Sequence, residues 1–206
     1  MKDYTEQEKF WASDFGDEYL ERNKIEDLLP AKISLFSDII KNLSSIKSFI
    51  EFGPNTGVNL IALKHLMPSA NLNAVELNKK AIDVLKNLKI CNNIWHNSIL
   101  KFNQQHIADL SFTSGVLIHL SPDHLNYAYE ALYNSSNKYI LICEYYNPSP
   151  VELSYRGHKQ KLFKRDFAGE LLSKYSDLEL VNYGFRYYRD NNLPLDDITW
   201  FLMKKK

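Results

Sequence analysis

From about residue 46 onward the chain alternates between two hydrophobic rhythms. Short apolar runs with strand-like composition lie at Ser48–Phe52, Asn71–Glu76, Asn93–Asn97, Leu110–Leu117 and Tyr139–Glu144. Between them, apolar residues three and four apart predict helices over Val58–Met67, stopped by Pro68, over Lys79–Leu88, and after Ser121–Pro122. Residues 146–162 carry two prolines and one glycine and are expected to form a long loop, followed by a helix over Phe163–Lys174. Leu178–Tyr187 and Ile198–Met203 are two final strands with only a turn-like DNNLP between them.

The first 45 residues read differently. Thr5 and Glu8 have capping-box spacing, which starts a helix reaching about Ser13. A second turn of helix follows Gly16 and reaches about Arg22. Residues 30–43 show helical spacing at Ile33, Phe36, Ile39, Ile40 and Leu43, with Pro30 near the start.

Strands alternating with helices require a parallel sheet covered on both faces. Two last strands joined directly require an antiparallel ending. The expected fold is therefore α/β: a Rossmann-like, doubly wound, seven-stranded and mostly parallel sheet with a C-terminal antiparallel hairpin and N-terminal helices. The 206 residues suit a single domain, with a helical cap over 1–45 and the core over 46–206.

Composition narrows the partners. The 25 basic and 25 acidic side chains cancel, so nothing favours nucleic acid or an acidic membrane. No apolar run approaches the length of a membrane helix. Two cysteines, Cys91 and Cys143, fit neither a disulfide framework nor a zinc motif, which points to a reducing cytoplasm and no metal. The sequence is compatible with a monomer or a homodimer.

Candidate chemistry begins at FIEFGPNTGVNL, residues 49–60. Glu51, Gly53, Pro54, Asn55, Thr56 and Gly57 form a strand-to-helix turn in which Gly53 permits a sharp bend and Gly57 a close approach. Glu76, followed by Leu77, ends the second strand, where an acid accepts hydrogen bonds from ribose hydroxyls. The pattern G-x-G-x-x-G is incomplete: Asn55 replaces the central glycine, and Asn59 stands near the last. That weakens the match to a pyrophosphate-bearing dinucleotide. S-adenosylmethionine has no phosphate. Its carboxylate suits a helix N-terminus and its sulfonium suits aromatic faces.

EFGPNTG, VEL at 75–77, SGVLIHLSP at 114–122 and YILICEYY at 139–146 stand in an order that resembles class I S-adenosylmethionine-dependent methyltransferases. Over nearly the whole chain, TEQEKFWASDFGDEYLERN, SPVELSYRGHKQKLFKRDFAGELL and LPLDDITWFLMKK resemble the methyltransferases associated with pseudaminic acid biosynthesis. The resemblance implies methyl transfer to a small-molecule acceptor, an anionic sugar of the nonulosonic acid type or its nucleotide precursor. It places Asn97 and Ser98 beside the adenine.

His119, at the end of the fourth strand, is a candidate general base; Glu144 is a second base or an anchor for an acceptor hydroxyl or amine. Tyr145, Tyr146 and Tyr155 are candidates for an aromatic acceptor wall. Arg156, His158 and Lys159 could clamp an anion. Trp11, Tyr19 and Arg22 belong to an N-terminal segment suited to fold over the site as a lid. Two other readings stay open. Tyr155 and Lys159 match the Y-x-x-x-K pair of an NAD(P)-dependent short-chain dehydrogenase or epimerase. The chain could also be a non-catalytic, cofactor-binding partner protein.

Overall fold

The computed structural model describes residues 4–206. Three helices precede the sheet: α1 (Glu6–Trp11), α2 (Asp14–Arg22) and α3 (Ile25–Ile40). The expected capping box opens α1: Glu8 N–H donates to Thr5 Oγ1 (3.1 Å) and Thr5 N–H to Glu8 Oε2 (2.6 Å). Helix α3 starts ahead of Pro30, so that proline lies inside it and not near its start. The first turn of α3 carries Glu26 and Asp27, which complement the helix dipole.

Then the alternation runs β1 (Ser48–Phe52), α4 (Val58–Leu66), β2 (Asn71–Glu76), α5 (Lys79–Leu88), β3 (Asn93–His96), β4 (Ala108–Ser114), α6 (Leu125–Ser135) and β5 (Ser136–Glu144). The chain continues through β6 (Val151–Tyr155), β7 (His158–Lys164), α7 (Phe167–Lys174), β8 (Leu178–Phe185) and β9 (Thr199–Lys205). The main sheet has seven strands in the order β3-β2-β1-β4-β5-β9-β8. Its first five are parallel, and β9 runs antiparallel to both β5 and β8. This is the doubly wound sheet with an antiparallel ending that the hydrophobic pattern predicts.

Several local expectations fail. The span 146–162 is not a loop: most of it forms the separate hairpin β6–β7. Arg156 (φ 50°) and Gly157 (φ 86°) are both left-handed, which makes a two-residue turn whose twist suits a hairpin and closes the Tyr155–His158 pair. Helix α7 starts later than expected, because Phe163 is claimed by β7 and Asp166 caps the helix by accepting Gly169 N–H (2.8 Å). The fourth strand also ends early, at Ser114, and Leu117–His119 forms a 3-10 turn.

Alternate residues of the central strands feed the two faces. Phe49, Phe112, Leu141 and Leu202 pack under α3 and α4 with Leu35, Phe36, Leu60 and Leu63. Ile50, Phe52, Ile140, Ile142 and Met203 pack with Leu132, Phe167 and Leu171 of α6 and α7. Each such burial stabilises the fold by about 1.5–3 kcal/mol. Buried on both sides, the strands hold their carboxyl ends in fixed register. Among the described residues no helix is long and apolar enough to cross a membrane.

Candidate functional site

A cavity of about 840 Å³ opens over the carboxyl ends of β1, β2 and β4. Its floor is the Gly53–Thr56 turn with Glu76, Leu77, Asn97 and Ser98; its roof comes from α1, α2, the hairpin and residues 194–198.

The turn after β1 has left-handed backbone at Gly53 (φ 70°), Asn55 (φ 51°) and Gly57 (φ 80°). A Cβ on Gly53 would sit 2.6 Å from Val116 Cγ2, and one on Gly57 would sit 2.8 Å from both Leu85 and Leu88. These glycines allow both the backbone angles and tight packing. The N–H groups of the turn are used internally. Gly53 donates to Val75 O (2.8 Å) and Gly57 to Pro54 O (2.8 Å). Asn55 donates to Glu76 Oε2 (2.9 Å) and Thr56 to Asn55 Oδ1 (2.9 Å). Pro54 has none to give. The turn therefore presents no open nest of donors to a pyrophosphate. Gly57 carries no side chain to cap α4, so the first N–H groups of that helix, at Val58 and Asn59, stand at the cavity wall.

Three buried carboxyls surround the floor. Glu76 accepts from Asn55, Leu77 (2.7 Å) and Asn78 (2.8 Å) N–H; burial raises its pKa and those three bonds hold it back. It lines the cavity, and Oε2 keeps a lone pair beyond its single N–H bond. Glu51 is fully buried, accepts from Asn59 Nδ2 (2.6 Å), and is pushed up to about 8 by burial. Glu144 accepts from Val116 (3.0 Å), Leu117 (3.1 Å) and Ile118 (3.3 Å) N–H and is pushed up to about 7 by burial.

Lys32, on α3, reaches the cavity wall with its ammonium buried; burial pushes its pKa down. It donates weakly to Ser114 Oγ (3.4 Å) and, among the described residues, pairs with no carboxylate. An unpaired buried cation favours an anionic ligand group.

The roof is aromatic. The Trp11 ring lies 4.6 Å from His119, 5.2 Å from Tyr19 and 6.3 Å from Tyr155. His119 is buried, with Nδ1 2.6 Å from Lys161 O. A carbonyl only accepts, so Nδ1 carries the proton and Nε2 is the acceptor nitrogen. Burial lowers this imidazole to about 4. It is neutral at pH 7 and a weaker base than its type suggests.

Gly53, Pro54, Asn55, Thr56, Glu76, Leu77, Asn97, Ser98, Trp11, Tyr19, His119, Tyr145, Tyr155 and Arg156 all line the one cavity. Seven expected residues do not, the exposed Lys159 among them. Glu51 and Gly57 lie beneath the floor, packed against Asn59 and against Leu85 and Leu88. Glu144 is turned onto the N–H groups of residues 116–118, so it positions the turn bearing His119 instead of facing a substrate. Tyr146 follows Tyr145 with the alternation of extended chain and packs outward on Phe201 (5.7 Å). His158 supports the roof from outside, against Phe10 (5.0 Å) and Phe15 (5.7 Å). Arg22 pairs with Glu18 and lies over Phe15 (5.3 Å).

Lys32, Lys164 and Asp196 also line the cavity without being site candidates in the sequence, and so do Glu8 and Asn59, which the sequence marks only as a helix cap and a departure from the glycine pattern. Lys32 left a signal: it shares the helical face of Phe36 and Ile39, where a charge is out of place. Lys164 and Asp196 left none, since nothing in the spacing puts the strand and turn that carry them beside the site.

Several solved structures share this fold. The 1,6-didemethyltoxoflavin-N1-methyltransferase of Burkholderia thailandensis, with bound 1,6-didemethyltoxoflavin and S-adenosylhomocysteine, has a TM-score of 0.72 at 12% identity, covering 96% of this chain and 88% of its own. The magnesium protoporphyrin IX methyltransferase of Synechocystis PCC 6803 with bound S-adenosylmethionine has a TM-score of 0.67 at 10% identity, each chain covered completely. An amino pentose methyltransferase of Micromonospora echinaspora, also bound to S-adenosylmethionine, has a TM-score of 0.66 at 10% identity, covering 94% of this chain and 97% of its own. At such identities the likeness is one of fold. No family model and no curated protein matches the sequence.

Proposed function

We propose that this chain is an S-adenosylmethionine-dependent methyltransferase acting on a small molecule. The observation that carries the reading is the closed hydrogen bonding of the Gly53–Gly57 turn beside Glu76. A nucleotide diphosphate would need those N–H groups; a phosphate-free nucleoside needs only the acid.

The residues at hand fit the cofactor part by part. Glu76 Oε2, which lines the cavity with a lone pair to spare, suits ribose hydroxyls. Lys32 and the uncapped start of α4 suit the carboxylate of an amino acid. Asn59 Oδ1, buried and without a partner among the described residues, suits its ammonium. Trp11, Tyr19 and Tyr155 supply aromatic faces for a sulfonium. The neighbours of known structure were solved with this cofactor or its demethylated product.

When bound, the cofactor supplies an electrophilic methyl group. This chain contributes alignment and exclusion of water, through the aromatic roof and Tyr145. His119 Nε2 accepts the acceptor's proton. A weak base suffices, because an oxygen or nitrogen that has gained a methyl holds its proton loosely. The finer reading, an anionic sugar of the nonulosonic acid type, comes from the sequence resemblance; Arg156 and Lys164 at the cavity rim are compatible with it. Free cysteines suit a cytoplasmic setting.

The dehydrogenase reading weakens. Tyr155 and Lys159 stand on opposite strands of a hairpin, and Lys159 is exposed and outside the cavity wall. Calorimetry of S-adenosylhomocysteine against NADPH tests the cofactor, and binding of NADPH alone would overturn the reading. Incubation with methyl-labelled S-adenosylmethionine and a panel of nonulosonic acids and their nucleotide forms, read by mass spectrometry, tests the acceptor. Transfer only to unrelated acceptors would remove the sugar assignment and keep the enzyme.

A further inference from the structure

We propose that Glu8, on α1, reads the exocyclic amine of the cofactor's nucleobase. The inference rests on the cofactor reading above and deepens it. Glu8 is 3% exposed and lines the cavity. One carboxyl oxygen, Oε2, serves the capping box by accepting Thr5 N–H at 2.6 Å. The other, Oε1, is buried and has no hydrogen-bond partner among the described residues. A buried acceptor left without a donor is costly, and a ligand N–H at this point removes the cost.

Position selects which ligand group that is. The start of α1 is held at the end of β3: the Tyr4 ring lies 5.2 Å from the ammonium of Lys101, in the turn that follows Ser98. The end of α1 is held at the end of β2, where Asn78 Nδ2 donates to Trp11 O (3.2 Å). Helix α1 therefore bridges the β2 and β3 ends, and the Glu8 carboxyl, folded back onto Thr5 N–H, lies at the end of the helix held near β3. With the ribose on Glu76, the base extends toward β3. There Asn97 and Ser98 have already committed acceptors to their own backbone: Asn97 Oδ1 takes Ser98 N–H (2.8 Å) and Ser98 Oγ takes Leu100 N–H (3.0 Å). Each of those oxygens keeps a second lone pair, but of the three only Glu8 Oε1 has no hydrogen bond at all among the described residues. An adenine offers it an N–H; a hypoxanthine offers a carbonyl, which repels it.

The test is calorimetry of the full chain with S-adenosylhomocysteine and with S-inosylhomocysteine, in which a carbonyl replaces the amine. The wild type should favour the adenosyl form by about tenfold or more, which corresponds to about 1.4 kcal/mol. Glu8→Gln keeps the length and one acceptor oxygen, but Thr5 N–H takes that oxygen and the amide NH2 then faces the base. Its preference should fall to within about threefold. Thr5→Ala removes the Oγ1 that accepts Glu8 N–H, leaves the Thr5 N–H bond to Glu8 Oε2, and should keep the wild-type preference. A Glu8→Gln preference equal to the wild type's, no preference in the wild type, or a loss matched by Thr5→Ala would each overturn the assignment while leaving the cofactor reading intact. Failure of the wild type to bind either nucleoside would overturn both.

Discussion

Glu51 should make the folded protein less stable as pH rises through neutrality. Its carboxyl is fully buried on the α3–α4 face of β1, with one bond from Asn59 and Oε2 unpartnered among the described residues. Burial lifts its pKa from 4.5 to about 8. The sign follows from linkage. Between those values the folded state holds a proton that the unfolded state has released, so stability falls as pH rises, by at most about 1.4 kcal/mol per pH unit. Glu144, raised to about 7, adds to the fall at lower pH. His119, lowered from 6.5 to about 4, acts oppositely: its contribution is present above 6.5 and is lost as pH falls through 4. Lys32, lowered by burial, also acts oppositely, because the folded state sheds its proton before the unfolded state does; above pH 6.5 the larger part of the carboxylate fall comes from Glu51. From pH 6.5 to 8 it should remove about 2 kcal/mol, or about 4–8 °C in Tm for a chain of this size. Glu51→Gln keeps the acceptor for Asn59 and abolishes the ionisation. Thermal melts and urea titrations at pH 6.5, 7.25 and 8 should show the wild type losing stability and the variant losing distinctly less, with the Glu144 share of the fall left in both. A variant whose stability changes with pH as steeply as the wild type's would refute the buried-carboxyl account.

Three further outcomes are expected. Glu76→Gln turns the Asn55 N–H contact from attraction to donor facing donor and removes the ribose acceptor; S-adenosylhomocysteine should bind about 10–100-fold more weakly by calorimetry, and unchanged affinity would remove Glu76 from the ribose site. Lys32→Met should weaken S-adenosylhomocysteine but not methylthioadenosine, which lacks the amino-acid end; equal losses for both would place Lys32 elsewhere. His119→Gln should lower turnover more than cofactor affinity, and the wild-type kcat/KM should stay level in His119's contribution down to about pH 5 and fall toward 4; an acid limb centred near 6.5 would contradict the burial of that imidazole.

The sequence by itself determined the layered sheet, since periods of two and 3.6 residues and the length of each run are local properties. It also marked the Gly53–Gly57 turn, Glu76 and His119, because strand ends in such a sheet converge on one crevice whatever the loops do. Only the tertiary structure decided which way neighbouring side chains face. Glu144 and Glu76 are both acids that end strands, yet one is spent on the backbone of residues 116–118 while the other opens on the cavity. Tyr145 and Tyr146 differ by one residue and point to opposite sides. Lys32, Glu8 and Asp196 reach the site from segments far apart in the chain. Folding brings them together by packing of the roof and helices, and no pairwise signal of that packing is written in the spacing of the residues themselves.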